Sequence, residues 1–245
     1  MHDELALSIE HLVKTYRSGT IAVDDISLSV QKGEFFGFLG PNGAGKSSTI
    51  SCITGISVPT SGTIKIFGND VVLDYREARR KIGLSPQDFN ADFFAKVRDT
   101  LDYVGGYYGL PKALREKRIA ALLKRFGLEE HADKPFNQLS GGLKRRLMLA
   151  RAMVHDPELV IFDEPTSGVD VELRHDLWQY MRELNEQGKT IILTSHYLEE
   201  VELLANRIAI INKGKIAAQG TISEFTKGGR KLEDVYLKIT KGEAW

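Results

Sequence analysis

The apolar residues of this chain gather into short runs in which nearly every position is hydrophobic. Strands that are covered on both faces have this pattern, because neither face of the sheet meets water. Each run is followed by a longer segment whose apolar residues have helical spacing. The predicted strands cover residues 34–39, 159–162 and 190–194, and the helices that follow them cover residues 46–54, 172–186 and 197–205. This alternation predicts an α/β fold with a mostly parallel sheet.

The beginning, middle and end of the chain depart from this alternation. Two strands at 5–13 and 21–30, separated by turn residues at 17–19, predict a small antiparallel sheet. From residue 89 to 156 the spacing is helical, without a convincing strand. The helices predicted there are 97–108, 114–126 and 141–153. Minor predicted elements are strands at 63–67 and 82–84, a helix at 76–81, strands near Ile208 and Ile216, and a tail helix at 231–239.

This organisation predicts a single domain over residues 1–245 rather than two independent ones. We expect a core with its antiparallel β-subdomain at 1–86 and 157–227. An all-helical subdomain at 87–156 would be inserted in it, and the tail helix would occupy 228–245, where Gly228 and Gly229 mark a break.

Acidic and basic residues balance, since 33 Lys and Arg face 33 Asp and Glu. The broad cationic surface of a nucleic-acid-binding protein is therefore not expected. Cys52 is the only cysteine, which excludes an intramolecular disulfide and a cysteine-ligated metal cluster, and we expect it to be buried. The N-terminal segment is polar and acidic, unlike a secretory leader, and no run approaches the roughly 18 apolar residues of a membrane helix. We therefore expect a cytoplasmic chain.

Residues 40–47, GPNGAGKS, fit the phosphate-binding P-loop and lie between a predicted buried strand and a helix start. Glycines let the backbone turn its N–H groups toward phosphate oxygens, and the helix N-terminus adds partial positive charge. Lys46 would bring a full charge to the β- and γ-phosphates, and Ser47 would place its hydroxyl on Mg²⁺. The predicted phosphate-binding residues are Gly40, Pro41, Asn42, Gly43, Ala44, Gly45, Lys46, Ser47 and Ser48.

Two adjacent carboxylates follow the apolar run at 159–162. Asp163 and Glu164 would lie at the carboxyl edge of the sheet, where open α/β sheets bind their ligands. Asp163 is suited to hold Mg²⁺ through its water shell, and Glu164 is suited to polarise an attacking water molecule. Such a pair alone is usually a loop start or a helix cap. After a P-loop it indicates nucleotide hydrolysis.

Residues 139–146, LSGGLKRR, lie about a helix length before the acidic strand. Ser140, Gly141 and Gly142 open the predicted helix 141–153, so their backbone N–H groups form a second anion-binding helix end. Alone, they would be an ordinary helix N-cap. The segment resembles the signature motif of the ABC (ATP-binding cassette) ATPases. In that family this end meets the γ-phosphate held by the other protomer, so the resemblance implies a dimer that sandwiches ATP.

Further positions match the ABC ATPases in order along essentially the whole chain. The resemblance implies that Tyr16 stacks on adenine, that Gln87 links Mg²⁺ and water to the helical insertion, and that His196 touches the γ-phosphate. It also implies that residues 167–170, ending in Asp170, cross the dimer interface beside ATP. Each residue has an ordinary alternative: strand-end packing for Tyr16, a solvated loop for Gln87 and Asp170, and a helix cap for His196. The implied catalytic residues are Lys46, Gln87, Glu164 and His196, and the implied Mg²⁺ residues are Ser47, Gln87 and Asp163.

One position departs from the family pattern, because the signature commonly ends in Gln and here ends in Leu143. The anion-binding backbone is unaffected, but a polar contact across the dimer interface is absent. Bacterial exporters with separate membrane subunits, the type-2 group, often depart at this position and continue with basic residues, as in Lys144, Arg145 and Arg146 here. The resemblance therefore favours export over import.

The resemblance implies a P-loop NTPase fold of the RecA-like type, with a mostly parallel sheet, an N-terminal antiparallel β-subdomain and an inserted helical subdomain. It implies an ATP-hydrolysing subunit that uses ATP and Mg²⁺ and works as a homodimer or a pseudo-dimer with a second ABC subunit. Separate transmembrane subunits would hold it at the cytoplasmic face of the membrane, with no nucleic-acid partner. The alternatives are a soluble ABC ATPase acting on ribosomes or DNA, and a regulatory subunit that binds nucleotide without hydrolysis. Phe89, Phe93 and Phe94 beside Gln87 fit equally a groove for a membrane-partner helix or internal core.

Overall fold

The computed structural model describes residues 5–243. The described residues exclude 1–4 and 244–245. The start of the polar N-terminal segment and the end of the predicted tail therefore lie outside them. The first elements are β1 (Leu5–Thr15), β2 (Ile21–Gln31), β3 (Phe35–Leu39), α1 (Lys46–Ile53), β4 (Ser61–Ile66), β5 (Asn69–Asp70), α2 (Tyr75–Arg80) and β6 (Ile82–Ser85). The middle elements are α3 (Val97–Tyr107), α4 (Lys112–Arg125) and α5 (Gly141–Met153). The last elements are β7 (Leu159–Asp163), α6 (Val171–Glu186), β8 (Thr190–Thr194), α7 (Leu198–Leu204), β9 (Arg207–Asn212), β10 (Lys215–Thr221), α8 (Ile222–Phe225) and α9 (Leu232–Lys241).

The larger sheet has the strand order β10-β9-β3-β8-β7-β6. Its strands pair in parallel except for β10, which pairs antiparallel with β9. Every residue of β3, β7 and β8 is buried, which confirms the strands predicted from apolar runs. Alternate side chains serve two cores: Phe36 and Phe38 face one hydrophobic cluster, and Phe35 and Leu39 face the other. The parallel α/β core is therefore confirmed.

The smaller sheet is antiparallel and has the order β2-β1-β4-β5. The two strands predicted at the N-terminus form half of it, and the predicted strand at 63–67 becomes β4 beside β1. Its apolar face shares a hydrophobic cluster with α1, including the free thiol of Cys52, which is completely buried. The sheet therefore lies against one face of the larger sheet, close to the loop that precedes α1.

The helices between β6 and β7 contribute to the hydrophobic cluster on the other face, together with α6, α7 and α9. Apolar residues of α3, α4 and α5, such as Leu101, Ile119 and Leu147, belong to the cluster that also contains Phe162 of β7. The three helices begin and end within a few residues of the predicted bounds, and α9 corresponds to the predicted tail helix. Among residues 5–243 there is no helix whose length and apolar character would suit it to cross a bilayer.

Candidate nucleotide-binding site

The loop between β3 and α1 contains glycines at positions where any other residue would be strained. Gly45 has a φ of 113° and Gly43 a φ of 76°, both in the left-handed region. A Cβ atom at Gly40 would lie 2.3 Å from the carbonyl oxygen of Ile211, and one at Gly45 would lie 2.4 Å from that of Ala22. The loop therefore wraps tightly against Ile211 and Ala22, in a conformation that can direct backbone N–H groups toward a bound anion.

Lys46 is the first residue of α1 and is only 7% exposed. Its Nζ atom donates to the carbonyl oxygen of Gly40 at 2.6 Å and to that of Pro41 at 3.2 Å. Burial lowers the pKa of this ammonium group, while the nearby carboxylates of Glu164 and Asp163 act in the opposite direction. The positively charged ammonium group of Lys46 thus lies against the backbone of the loop.

The two carboxylates at the end of β7 have different surroundings. Asp163 accepts a 2.5 Å hydrogen bond from the hydroxyl of Thr194, which also accepts one from the backbone N–H of Glu164 at 3.1 Å. Glu164 has a φ of 50°, a left-handed conformation that is uncommon for a residue with a side chain. The change of backbone conformation between the two residues sends their side chains in different directions.

Glu164 is the meeting point of three segments, although its side chain is buried. Its Oε2 atom accepts a 2.8 Å hydrogen bond from the amide of Gln87, and its Oε1 atom lies 2.5 Å from Nε2 of His196. The structure therefore brings together three residues that are far apart in sequence and that sequence analysis assigned to one catalytic group.

These residues surround a small cavity of about 150 Å³. It is lined by Ala22, Asn42, Gly43, Gly45, Lys46, Ser47, Ser48, Gln87 and Glu164. Tyr16 lies at its edge, where its hydroxyl is 3.1 Å from that of Ser48 and its ring is 42% exposed. Asp163 lies behind Glu164 and is only 9% exposed.

The remaining predicted ligand residues form a second group at the N-termini of α5 and α6. The Ser140 hydroxyl accepts from the N–H of Leu143 at 3.3 Å, and the Asp170 carboxylate accepts from the N–H of Leu173 at 2.8 Å, so each caps its helix. A Cβ atom at Gly142 would lie 3.3 Å from Leu173, which shows that the two helix ends are neighbours. Among the described residues, none of this second group lines the cavity beside Lys46.

A family model described as "ABC transporter" matches residues 23–167, which contain the glycine loop, Gln87, the signature segment and the acidic pair. The chain belongs to the ABC transporter family. Solved structures of ABC proteins have the same fold. An "ATP binding subunit of ABC transporter" superposes with a TM-score of 0.88 at 29% identity, covering 96% of this chain and 99% of that one. A post-hydrolysis dimer of the ATP-binding cassette MJ0796 bound to ADP and phosphate superposes with a TM-score of 0.81 at 28% identity, covering 88% of this chain and 98% of that one.

Curated ABC relatives have higher sequence identity. The Nod factor export ATP-binding protein I of Ralstonia nicotianae is 42% identical over 87% of this chain and 66% of its own length. Its namesake from Mesorhizobium japonicum is 44% identical over 88% of this chain and 63% of its own length. The chain thus spans about two thirds of the length of these relatives.

Sequence analysis missed one contact of this ABC fold. Arg145 of α5 is buried, and its guanidinium donates to the carbonyl oxygens of Pro86 and Gln87 at 2.9 and 3.0 Å. In the sequence, Arg145 stands out only as one of three basic residues after the signature segment. Arg145 lies three residues before Met148 and four before Leu149, both of which are buried, and this spacing is the one signal in the sequence that it shares their face of α5.

The side chains beside the ABC glycine loop suit a magnesium ion that is bound together with phosphate. Ser47 offers a hydroxyl, Asp163 a carboxylate and Gln87 an amide oxygen, and oxygen ligands are those that Mg²⁺ prefers. Within residues 5–243 there is no cluster of three or more His, Cys, Asp or Glu side chains that would hold a metal by itself.

Proposed function

We propose that this chain binds and hydrolyses ATP as one half of a dimer that powers export through separate transmembrane subunits. The observation that carries the proposal is the division of the predicted ATP ligands into two groups. One group surrounds Lys46, and the other caps α5 and α6 through Ser140 and Asp170. A second copy that presents the second group to the first encloses the triphosphate from both sides, and the dimeric form of a similar cassette supports this arrangement.

In the proposed reaction, Glu164 polarises a water molecule for in-line attack on the γ-phosphate. Gln87 donates to one oxygen of Glu164 and Nε2 of His196 lies beside the other, which leaves lone pairs on both oxygens for a water molecule. In the proposed ATP-bound state, Lys46 stabilises charge on the γ-phosphate oxygens, and Nε2 of His196 donates to them in place of Glu164. Ser47, Asp163 and Gln87 would hold Mg²⁺, which neutralises phosphate charge when bound.

The membrane partner needs a docking surface connected to this site. A groove of about 590 Å³ lies between α3, β6 and the end of α1, and Tyr103, Tyr107 and Tyr108 form much of its wall. Asn90 also lines the groove, three residues after Gln87. We propose that this tyrosine groove receives a cytoplasmic helix of the membrane subunit and that residues 87–90 carry the signal between the two sites.

The phenylalanines that follow Gln87 have a mixed environment. The rings of Phe89 and Phe93 each lie 6.1 Å from buried Phe136 in edge-to-face geometry, so both contribute to internal packing. They are nevertheless 38% and 58% exposed, and Phe94 is 81% exposed. In this proposal they border the docking surface, and the tyrosine groove is its centre.

The relatives support a direction of transport for this chain. These relatives are named for export, and the balanced charge of this chain gives no support to action on ribosomes or DNA. We place the chain at the cytoplasmic face of the membrane, with residues 87–156 as a helical subdomain that transmits force. The core comprises 1–86 and 157–227, with a tail at 228–245. The transported molecule is selected by the transmembrane subunits.

The test is the Glu164→Gln variant, with Glu186→Gln, an exposed glutamate at the end of α6, as the matched control. We expect Glu164→Gln to lose about 10²-fold or more in ATP turnover, to retain ATP binding, and to sediment as a dimer with ATP and Mg²⁺. The control should hydrolyse ATP normally. Near-normal hydrolysis by Glu164→Gln removes that residue from the base role. A strictly monomeric state with saturating ATP and Mg²⁺, both alone and with the transmembrane subunits, contradicts the dimer.

A further inference from the structure

Glu200 of α7 is completely buried, and its carboxylate connects three separate segments. Its Oε2 atom accepts hydrogen bonds from the hydroxyls of Ser195, at 2.5 Å, and Thr166, at 3.0 Å. Its Oε1 atom accepts from the indole N–H of Trp178 at 2.8 Å. The donors come from the loop after β8, the loop after β7 and the helix α6. One buried side chain therefore links three elements that are distant in sequence.

Ser195 immediately precedes His196, which contacts Glu164. Besides donating to Glu200, the Ser195 hydroxyl accepts a 3.0 Å hydrogen bond from the backbone N–H of Tyr197. The backbone on both sides of His196 is therefore held by one hydroxyl, whose own position is set by Glu200. The orientation of the imidazole toward Glu164 depends on this turn.

Thr166 lies two residues after Glu164 and begins the turn that leads to Asp170. Its hydroxyl donates to Glu200, and its carbonyl oxygen accepts from the N–H of Val169 at 3.4 Å. The third donor, Trp178, belongs to α6, the helix that Asp170 caps. The same carboxylate thus holds the start of the 166–170 loop through Thr166, whereas its contact with Trp178 lies two helical turns beyond Asp170. The 166–170 loop belongs to the proposed dimer interface.

Stability alone does not account for a carboxylate at this position. Burying a carboxylate is costly, and a well-packed apolar side chain is often equally stabilising. Burial raises the pKa of Glu200, whereas the hydrogen bonds from Ser195, Trp178 and Thr166 and the charge of Arg174 lower it. The acceptor pairs with donors on both loops that flank Glu164, which indicates a role in their alignment.

We propose that Glu200 is a positioning residue, which holds His196 and the 166–170 loop in fixed relation to Glu164. The inference rests on the proposed hydrolysis of ATP. Glu200 does not line the cavity beside Lys46, so its removal should impair the chemical step and leave ATP binding by the glycine loop nearly intact.

The experiment compares steady-state ATP hydrolysis and thermal unfolding of Glu200→Gln, Ser195→Ala and Thr166→Val with those of Trp178→Phe. Gln keeps the size of the Glu200 side chain, but its NH₂ group is a donor and would face one or more of the groups that donate to Glu200. We expect kcat to fall about tenfold or more in Glu200→Gln and by a smaller factor in the two hydroxyl variants, with KM for ATP changed less than about twofold.

Trp178→Phe removes only the contact to α6, so it should lower Tm and leave kcat within about twofold of the unmodified chain. Glu200→Asp, which keeps the charge on a shorter side chain, should recover part of the lost kcat.

Two results overturn the inference. If Glu200→Gln and Ser195→Ala hydrolyse ATP at the rate of the unmodified chain, the carboxylate does not position the site. If all variants, Trp178→Phe included, lose kcat in proportion to Tm, the network is only structural. Should Glu200→Gln not fold, Ser195→Ala and Thr166→Val decide the question. A lack of hydrolysis in the unmodified chain would instead contradict the proposed function itself, so the two failures are distinguishable.

Discussion

Arg145 donates a 3.0 Å hydrogen bond from Nη2 to the backbone carbonyl of Gln87, whose side-chain amide in turn donates to Glu164. The other guanidinium nitrogen, Nη1, donates to the carbonyl of Pro86 at 2.9 Å. Burial lowers the pKa of Arg145, while the carboxylates of Asp163, Glu164 and Asp88 act against this effect. The helix α5 is thus joined to the Glu164 carboxylate through Gln87, and we expect a displacement of either to be transmitted to the other.

Replacing this link should weaken both folding and hydrolysis. We expect Arg145→Met to lower the free energy of unfolding by about 2–3 kcal/mol, because two buried carbonyl groups lose their donor. ATP turnover should fall as well, because Gln87 is no longer fixed. Arg146→Met is the matched control, since Arg146 donates to the Phe126 carbonyl instead. Urea unfolding and ATP hydrolysis check the prediction, and turnover that falls equally in both variants would contradict it.

His155 should make the stability of the chain sensitive to acid. Its ring stacks on Tyr108 with centroids 3.7 Å apart, and its Nε2 atom lies 2.8 Å from the Ile82 carbonyl oxygen. Mainly through burial, with a further contribution from the charge of Arg118, its pKa falls from 6.5 to about 4. Between these values the unfolded chain binds the proton and the folded chain does not, so stability is lost as pH falls through 6.5 toward about 4.

The expected contribution of His155 is about 2 kcal/mol of unfolding free energy lost between roughly pH 7.5 and pH 5. His155→Phe keeps a ring against Tyr108 and cannot titrate. Between the two pH values, the variant should therefore lose about 2 kcal/mol less unfolding free energy than the unmodified chain loses. Urea titrations of both chains at the two pH values measure the difference. Equal acid sensitivity in the two chains would show that His155 is protonated in the folded state.

A substitution in the tyrosine groove should weaken binding of the membrane partner without changing ATP hydrolysis. Tyr107 is 75% exposed, so Tyr107→Ser should leave the fold intact. Loss of an aromatic anchor at the centre of an interface should weaken binding to the detergent-solubilised membrane subunits by about tenfold or more. Basal ATP hydrolysis should be unchanged. The control is Ile21→Ser on β2, which is 58% exposed and lies on the smaller sheet.

The phenylalanine border is tested by measuring transport together with basal ATP hydrolysis. Phe89→Ala and Phe93→Ala should uncouple transport while sparing basal hydrolysis, although each also removes an edge-to-face contact with Phe136. Intact transport in both variants confines docking to the tyrosine groove. Normal membrane-subunit binding by Tyr107→Ser, together with uncoupling in the phenylalanine variants, would place the interface beside Phe93 instead.

The parallel sheet, the glycine loop and the placement of Asp163 at a strand end were predictable from sequence. They depend on local signals, namely short apolar runs, glycines before a helix and polar residues after a strand. The ABC family was recognisable because several short motifs stand in a fixed order. The assignment of catalytic and binding roles to individual residues remains a prediction that the variants above test.

The partners of Arg145 and Glu200 were not predictable, because they are distant in sequence. Arg145 occurs in a run of three basic residues, a pattern typical of a solvated helix face, yet it is 4% exposed and reaches the loop after β6. Glu200 follows another glutamate at the start of a helix, where carboxylates commonly face water. Only the tertiary structure brings a tryptophan and two hydroxyls around it.

Gly141 offers the sharpest test of the two-copy site. It is the first residue of α5, and a Cβ atom added there meets nothing within 4 Å, so the folded chain has room for alanine. Alanine also favours helix over glycine by up to about 1 kcal/mol. Gly141→Ala should therefore be as stable as the unmodified chain and should bind ATP through its own glycine loop.

If the N-terminus of α5 approaches the phosphate bound to a second copy, the added methyl group occupies the space that the phosphate needs. We then expect Gly141→Ala to lose about tenfold or more in turnover and to lose ATP-dependent dimerisation in the Glu164→Gln background. Gly106→Ala, on α3, is the matched control, because its nearest neighbour would be Arg115 at an ordinary 3.7 Å. Within one chain, nothing lies close to the added methyl group, so only a second copy or its ATP could collide with it. Unimpaired turnover and dimerisation in Gly141→Ala would therefore mean that this helix end does not close on ATP.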